Sequence, residues 1–278
     1  MKPYIDLLKD VLENGKDHND RTGTGTKRVF GRQIRFDLKD GFPLCTTKDV
    51  NIQAVYSELL WFISGSSNRN ALRAIRWGSE HYDNDNKPTI WDGNYEDQGK
   101  KLGYHDGYLG PVYGYQWRFA NGVDQLVNVE KQIRENPDSR RIILDAWNPA
   151  DIDKMSLPPC HVLQHWWVEN GVLSLQVYQR SVDSFLGFPF NVASYAMLIH
   201  MMAKVTNTQP GELIMSLGDT HIYLDHIKQV TEQVSREPKK LPTIEFIGDQ
   251  NTIDDFHMGD LVLRDYQHHP KLIGKMSS

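Results

Sequence analysis

The cysteine at position 160 stands in LPPCHVLQHWWV, behind two prolines, ahead of a histidine and followed by an aromatic, apolar run. A free thiol has a pKa of about 8.5, so only about a few per cent is thiolate at neutral pH. By residue type alone Cys160 reads as a small buried hydrophobe. Its surroundings change that reading. HVLQHWWVENGVLSLQVYQRS holds two strand-like runs around Asn170-Gly171, a favoured two-residue type I′ hairpin turn. Pairing Glu169 with Val172 sets Trp166 opposite Leu175 and Gln164 opposite Val177. Continued without interruption, that register puts Cys160 opposite Ser181, beside Arg180. A one-residue bulge would bring Arg180 itself onto the Cys160 face. A guanidinium there favours the thiolate, so Cys160 is expected to be a primed nucleophile. Cys45, in PLCTT, has no such company and reads as core filling.

Other residues could act around that thiol. Arg140 and Arg141 are adjacent, and on a strand they would point to opposite faces. With Arg21, Arg180 and Ser181 they could hold a phosphate by bidentate hydrogen bonds. RTGTGT at 21–26 lacks the Lys-Ser/Thr ending of a P-loop. Glu58 lies in the apolar VYSELLWFI; it is either turned to solvent or half-buried with a raised pKa and able to handle protons. Asn191 reads most simply as a helix cap, and could also offer a donor and an acceptor to a flat polar ring. His161, His165, His221 and His226 have spacings that match no strong metal-ligand pattern, and no metal is expected.

The elements that must position these groups follow from periodicity. Tyr4, Leu7, Leu8, Val11 and Leu12 share a helical face, and Gly15 stops that helix. RVFGRQIRFDL is strand-like. Residues 51–64 predict a helix with Ile52, Val55, Tyr56, Leu59, Phe62 and Ile63 inward. Residues 79–110 read as a long, partly irregular excursion. Residues 124–135 look helical and RIILDAWN reads as a strand. LGFPFN turns into VASYAMLIHMMAKV, a helix apolar almost all round and therefore buried. GDTHIYLDHIKQVTEQVSREP reads as a further helix capped by Asp219 or Thr220, with strands and a tail after it.

With 278 residues, 39% hydrophobic and 24% charged, the chain has the composition of a globular protein. No domain boundary stands out, so one catalytic domain over residues 1–278 is expected. The net charge of −5 argues against nucleic acid as the main partner. No apolar stretch reaches the ~20 residues of a membrane span. Two cysteines make no disulfide framework, and MKPYIDLLKD lacks the core of a secretory leader. The expected location is the cytoplasm, or the host's cytoplasm for a viral chain.

Taken together, DRTGTGT, FPLCTTK, ELLWFISGSSN, IWD, LGPVYGYQWR, VDQL, DSRRIIL, AWNP, LPPCH, YQRSVDSFLGFPFNVASYA and GDTHIYL resemble the folate-dependent thymidylate synthase family over nearly the whole chain. The resemblance implies a three-layer α/β (α+β) fold around a mixed sheet. It implies a homodimer in which each site borrows two arginines, here Arg140 and Arg141, from the partner. It implies dUMP as substrate and 5,10-methylenetetrahydrofolate as co-substrate. Cys160 would add to C6 of the uracil, and Asn191 would steady the resulting enolate. Glu58 matches the group that manages protons, with Tyr113 and His161 at supporting polar positions. Arg21, Gln179, Arg180 and Ser181 match the substrate-binding stretch of one subunit. His221 and Tyr223 match the ribose contacts, and Asp183 the pterin contact. Ile90, Trp91 and Asn94 match one wall of the folate site, Leu186, Gly187 and Phe190 another, and Lys48 the position that meets the folate tail.

Three departures stand out. His165-Trp166 replaces the family's usual Gln-Phe, Asp225 replaces its Asn, and GKMSS replaces its small apolar ending. In the family that ending closes over the folate and keeps water from the C5 methylene. A polar ending leaves open a deoxyuridylate hydroxymethylase, in which water captures the methylene; such relatives occur in viruses with altered DNA bases. Asn at 191 argues for uracil over cytosine. A Cys–His hydrolase fits poorly, because adjacent Cys160 and His161 on a strand would diverge. A non-catalytic nucleotide-binding module is the remaining alternative.

Overall fold

The computed structural model describes residues 1–19 and 23–275. Arg21 and the last three residues of GKMSS lie outside them. In chain order the elements are α1 (Lys2–Asn14), β1 (Lys16–His18), β2 (Thr26–Asp37), α2 (Ile52–Ile63), α3 (Arg69–Trp77), α4 (Asp92–Asn94), α5 (Tyr113–Phe119) and α6 (Gln125–Glu135). There follow β3 (Ile143–Asp145), β4 (His161–Glu169), β5 (Val172–Asp183), α7 (Gly187–Thr206), β6 (Gln209–Tyr223), α8 (Ile227–Ser235), β7 (Thr243–Phe246) and β8 (Leu261–Arg264). Six strands form one mixed sheet in the order β1-β2-β6-β5-β4-β3, and β7 with β8 forms a separate pair. Only β5 and β6 run parallel within the large sheet.

Apolar spacing builds the layers. α7 is buried without a break from Val192 to Ile199 and lies on β5 and β6. Fully burying a Leu- or Met-sized side chain is worth about 1.5–3 kcal/mol, so α7 is a main source of core stability. α1 lies beside it with Tyr4, Leu7, Leu8 and Val11 inward. α2, capped by Asn51 through the Ala54 N–H, packs outside α7 and completes the third layer. All six of its anticipated core residues are buried. Along its lower half, the opposite sheet face leaves Arg35, Ile143, Trp167, Gln176 and Tyr178 exposed.

Two anticipated elements differ. Gly218–Tyr223 belongs to β6 and is not the start of a helix; α8 begins only at Ile227. The segment hydrogen-bonds to β2 on one side and β5 on the other, and two complete ladders outweigh a helical pattern. Asp219 and Thr220 are therefore not caps. The strand in RIILDAWN is only Ile143–Asp145; the Ala146 N–H still reaches the Val162 carbonyl at 2.8 Å, but the Trp147 N–H goes to the Asp145 carboxylate at 2.8 Å instead of to a neighbouring strand. Arg140 and Arg141 consequently sit in an exposed turn before β3 rather than on a strand.

The sheet bends along one row. Cα pairing skips Gly31, Gly218 and Arg180, which lie side by side on β2, β6 and β5. Before that row Phe36, Met215 and Val177 face the core; after it Val29, Thr220 and Val182, of opposite parity, are buried instead. A Cβ on Gly218 would lie 2.7 Å from the Arg180 carbonyl oxygen. Backbone at that distance has no easy way to yield. Gly218→Ala should therefore lower stability by about 1–3 kcal/mol, read from the urea midpoint at constant slope. An unchanged midpoint would mean that the close approach of β5 and β6 is not required.

Candidate active site

The β4–β5 hairpin forms with the anticipated register. Glu169 pairs with Val172, Trp166 with Leu175 and Gln164 with Val177. Asn170 and Gly171 have φ of 51° and 76°, as a type I′ turn requires. The register then slips by one residue between His161 and Leu163, and His161 pairs with Gln179. The uninterrupted pairing of Cys160 with Ser181 is thus replaced by its bulged alternative. The Arg180 N–H donates to the Cys160 carbonyl at 2.8 Å. The Arg180 side chain folds back over the same loop: Nε donates to the Pro159 carbonyl at 2.8 Å and Nη2 to that of Pro158 at 3.0 Å. Its guanidinium also lies over the Trp147 ring.

Cys160 is half-buried, and its N–H donates to the Tyr113 hydroxyl at 2.7 Å. Burial pushes the thiol pKa up, while Arg180 and a hydrogen bond from Tyr113 pull it down without prevailing. Arg180 thus acts in the anticipated direction, but the free protein holds a thiol rather than a primed thiolate. Cys45 is fully buried, as expected of core filling.

His161 stacks on Tyr113 with ring centroids 4.2 Å apart, and its Nδ1 lies 2.6 Å from the Tyr195 hydroxyl. Burial drives its pKa down to about 3, so it is neutral at physiological pH. Glu58, on α2, takes the solvent-shielded option. Burial pushes its pKa up to about 7, opposed by the Trp91 indole N–H, which donates to Oε1 at 2.7 Å. Trp91 is itself held from behind, because the next residue, Asp92, takes Arg69 Nη1 at 2.9 Å and Arg73 Nη2 at 3.0 Å. These ion pairs tie α3 to the irregular excursion.

Asn191 is not a cap, because α7 already starts at Gly187. Its Oδ1 accepts from Gln179 Nε2 at 3.0 Å, and the same amide nitrogen donates to the Ser181 carbonyl. Asp183 Oδ1 instead takes the Phe185 and Leu186 N–H groups, both at 3.0 Å, and turns the chain into α7. Leu186, Gly187 and Phe190 are half-buried at that turn. The parallel β5–β6 pairing sets Ser181 beside Asp219 and Asp183 beside His221. His221 Nδ1 lies 3.0 Å from Asp219 Oδ1, and Tyr223 meets the His221 ring edge-on. His221, with Arg28 after it, holds the Asp219 carboxyl below its usual range.

The remaining candidates lie further out. Lys48 is buried, donates to the Phe185 carbonyl and lies over the Phe185 ring; burial lowers its pKa to about 8. In this state it braces the Asp183–Gly187 turn instead of reaching outward. Ile90 is exposed and Asn94 half-buried beside Trp91. Arg140 and Arg141 make no ion pair among the described residues, and Arg21 lies outside them. Two further residues belong to the cluster: Tyr195, which orients His161, and Asp219, which orients His221. Tyr195 could have been found from its spacing, one helical turn after Asn191, whereas Asp219, read there as a helix cap, faces His221 only because the segment is a strand.

These features describe an α/β protein with a half-buried thiol and a cluster of polar groups gathered toward one end of a mixed sheet. The family model described as thymidylate synthase matches residues 2–278. The thymidylate synthase of Enterobacteria phage T4 is 48% identical over 289 aligned positions, covering all of both chains. A protein of Escherichia phage T5 named "Probable thymidylate synthase" is 47% identical over 288, again covering all of both. The chain belongs to the thymidylate synthase family.

Two measurements check the electrostatics. Alkylation of Cys160 by iodoacetamide, with buried Cys45 as internal reference, should rise only above the ordinary thiol range; a profile already saturated at neutral pH would reverse the balance between burial and Arg180. For Glu58 the folded pKa is raised, so the folded state holds the proton more tightly than the unfolded chain. Its contribution to stability is complete below the ordinary carboxyl range and is lost as pH rises through about 7. Glu58→Gln should remove that slope from urea midpoints measured across the interval, and an identical slope in parent and variant would contradict it.

Proposed function

We propose that this protein transfers the one-carbon unit of 5,10-methylenetetrahydrofolate to C5 of dUMP and reduces it, giving dTMP and dihydrofolate. The observation that carries the reading is the half-buried Cys160 tied to Arg180, with Gln179, Asn191 and Asp183 gathered at the same sheet end. Cys160 as thiolate adds to C6 of the uracil; the S–C6 bond forms and the ring electron pair moves toward C5 and O4. Arg180 is the cation that favours the charged sulfur against the effect of burial. Asn191 offers a donor and an acceptor to O4 and N3 once its contact with Gln179 is exchanged for the ring. A carboxyl with a pKa of about 7 both gives and takes protons at neutral pH, which suits Glu58 to the proton steps.

Arg180 uses Nε and Nη2 on the prolines, which leaves Nη1 for the substrate phosphate together with Ser181 and Arg21. His221 and Tyr223 take the ribose hydroxyl. Folate, when bound, supplies the methylene and then a hydride. The half-buried Leu186 and Phe190, the Trp91 indole and the Asp183 carboxylate suit an apolar ring system with a polar edge. A homodimer across the bare sheet face, with Arg140 and Arg141 lent to the partner's phosphate site, is supported by the exposed Ile143, Trp167 and Tyr178 on that face. The phage relatives support work in a host cytoplasm.

A second reading keeps the same covalent chemistry and lets water take the methylene, giving 5-hydroxymethyl-dUMP and tetrahydrofolate. The polar GKMSS ending favours it. Mass analysis of the nucleotide after incubation with both substrates separates the two. dTMP with the absorbance rise of dihydrofolate supports the first, and 5-hydroxymethyl-dUMP without that rise supports the second. Cys160→Ser should yield neither product and no covalent adduct with 5-fluoro-dUMP and folate. A parent enzyme that makes neither product would overturn both readings.

A further inference from the structure

Arg180 is held by neutral partners. Its Nε and Nη2 donate to two carbonyl groups, at 2.8 and 3.0 Å, and its guanidinium carbon lies 5.4 Å from the centroid of the Trp147 ring. Among the described residues no carboxylate pairs with it, whereas Arg69 and Arg73 share Asp92, and Arg118 takes Asp124 and Asp254. A carboxylate would hold the guanidinium as firmly, but it would offset the charge and repel a second anion. A ring face attracts the cation through its quadrupole and carries no net charge.

The backbone that carries Trp147 is fixed on both sides. The Ala146 N–H donates to the Val162 carbonyl at 2.8 Å, and Val162 is the residue that the β4–β5 bulge leaves out of the pairing. One residue on, the Trp147 N–H goes to the Asp145 carboxylate at 2.8 Å. Asp145 is gripped in turn. Its N–H donates to Gln125 Oε1 at 3.0 Å, and Gln125 Nε2 donates to the Asp145 carbonyl at 2.8 Å and to the Gln116 carbonyl at 2.7 Å. The bulge that brings Arg180 to Cys160 therefore also anchors the segment bearing Trp147, and α5 and α6 brace that segment from the other side. The half-buried ring has little freedom to leave the guanidinium.

We propose that Trp147 is a positioning residue whose ring face holds the Arg180 cation in place without neutralising it, so that the full positive charge stays available to the Cys160 sulfur and to an anionic group bound beside it. Arg180 and Tyr113 are the groups that favour the charged sulfur, and burial opposes them. A guanidinium free to swing into water would act on the sulfur from further away and through more solvent. That the anion is the phosphate of dUMP rests on the proposed function; the hold on Arg180 does not.

The test uses the full-length protein, first without ligands and then with both substrates. Trp147→Leu keeps an apolar side chain and removes the ring face, and Trp147→Phe keeps a face. Alkylation of Cys160 by iodoacetamide at neutral pH should slow about threefold to tenfold in Trp147→Leu, the worth of a partly desolvated cation–π contact, with the whole pH profile displaced upward. Trp147→Phe should stay close to the parent. Asp145→Ala, at an exposed position, releases the Trp147 backbone and should slow alkylation in the same direction. Should Trp147→Leu fail to fold, the Asp145→Ala profile decides alone. With substrates, KM for dUMP should rise by a similar factor in Trp147→Leu and not in Trp147→Phe. Equal profiles in parent and Trp147→Leu, or equal slowing in the Leu and Phe variants, would overturn the role of the ring face. Slower alkylation at unchanged KM would overturn the part played toward the anion. A parent protein that makes no product would overturn the proposed function while leaving the alkylation result standing.

Discussion

Arg180 joins two strands, one loop and one charge at a single point. Its backbone N–H binds the Cys160 carbonyl, and its guanidinium closes over Pro158 and Pro159. The proline pair cannot donate and is stiff, so its carbonyls are ready acceptors at fixed positions. Charge-assisted bonds of this kind satisfy a half-buried guanidinium and at the same time fix where the following cysteine emerges. The bulge between His161 and Leu163 is what makes the contact possible. Without it Ser181 would occupy the position opposite Cys160, and the cation would project from the other face of the hairpin.

The same half-burial limits the cysteine. Desolvation works against the charged sulfur, Arg180 works for it, and in the free protein desolvation is the larger effect. Glu58 meets a parallel conflict, its burial opposed by the Trp91 indole. His161, with no charge beside it to compete, simply stays neutral. Cys160 and His161 thus sit in their uncharged forms, which costs the fold little, while Glu58, raised to about 7, is divided between its two forms at neutral pH.

Support for the cluster comes from elements distant in sequence. The Arg69 and Arg73 pairs with Asp92 stiffen the excursion that carries Trp91 to Glu58. β6 carries Asp219, His221 and Tyr223 on one face because it is a strand, with period two, along β5. A helix at those positions would have spread them around its circumference. The bend at Gly31, Gly218 and Arg180 lets the upper sheet turn its other face to the core, which gives the site end a different lining from the lower sheet.

Local chemistry made much of this legible from residues alone. Asn170-Gly171 specified the hairpin and its register, because few dipeptides adopt two successive positive φ angles. The apolar spacing of α1, α2 and α7 marked their buried faces, and the family resemblance named the site residues. The rest depended on partners far along the chain. Whether the hairpin bulges was open until β5 met its neighbours. GDTHIY became a strand because β2 and β5 stood on either side of it, a fact no window of that sequence contains. Asn191 lies inside α7 rather than at its cap because the helix starts a turn earlier, after the Asp183 hydrogen bonds. The sign of Arg180's effect on Cys160 could be read from charge, but its defeat by desolvation could not, since burial is a property of the packed molecule and not of its residues in order.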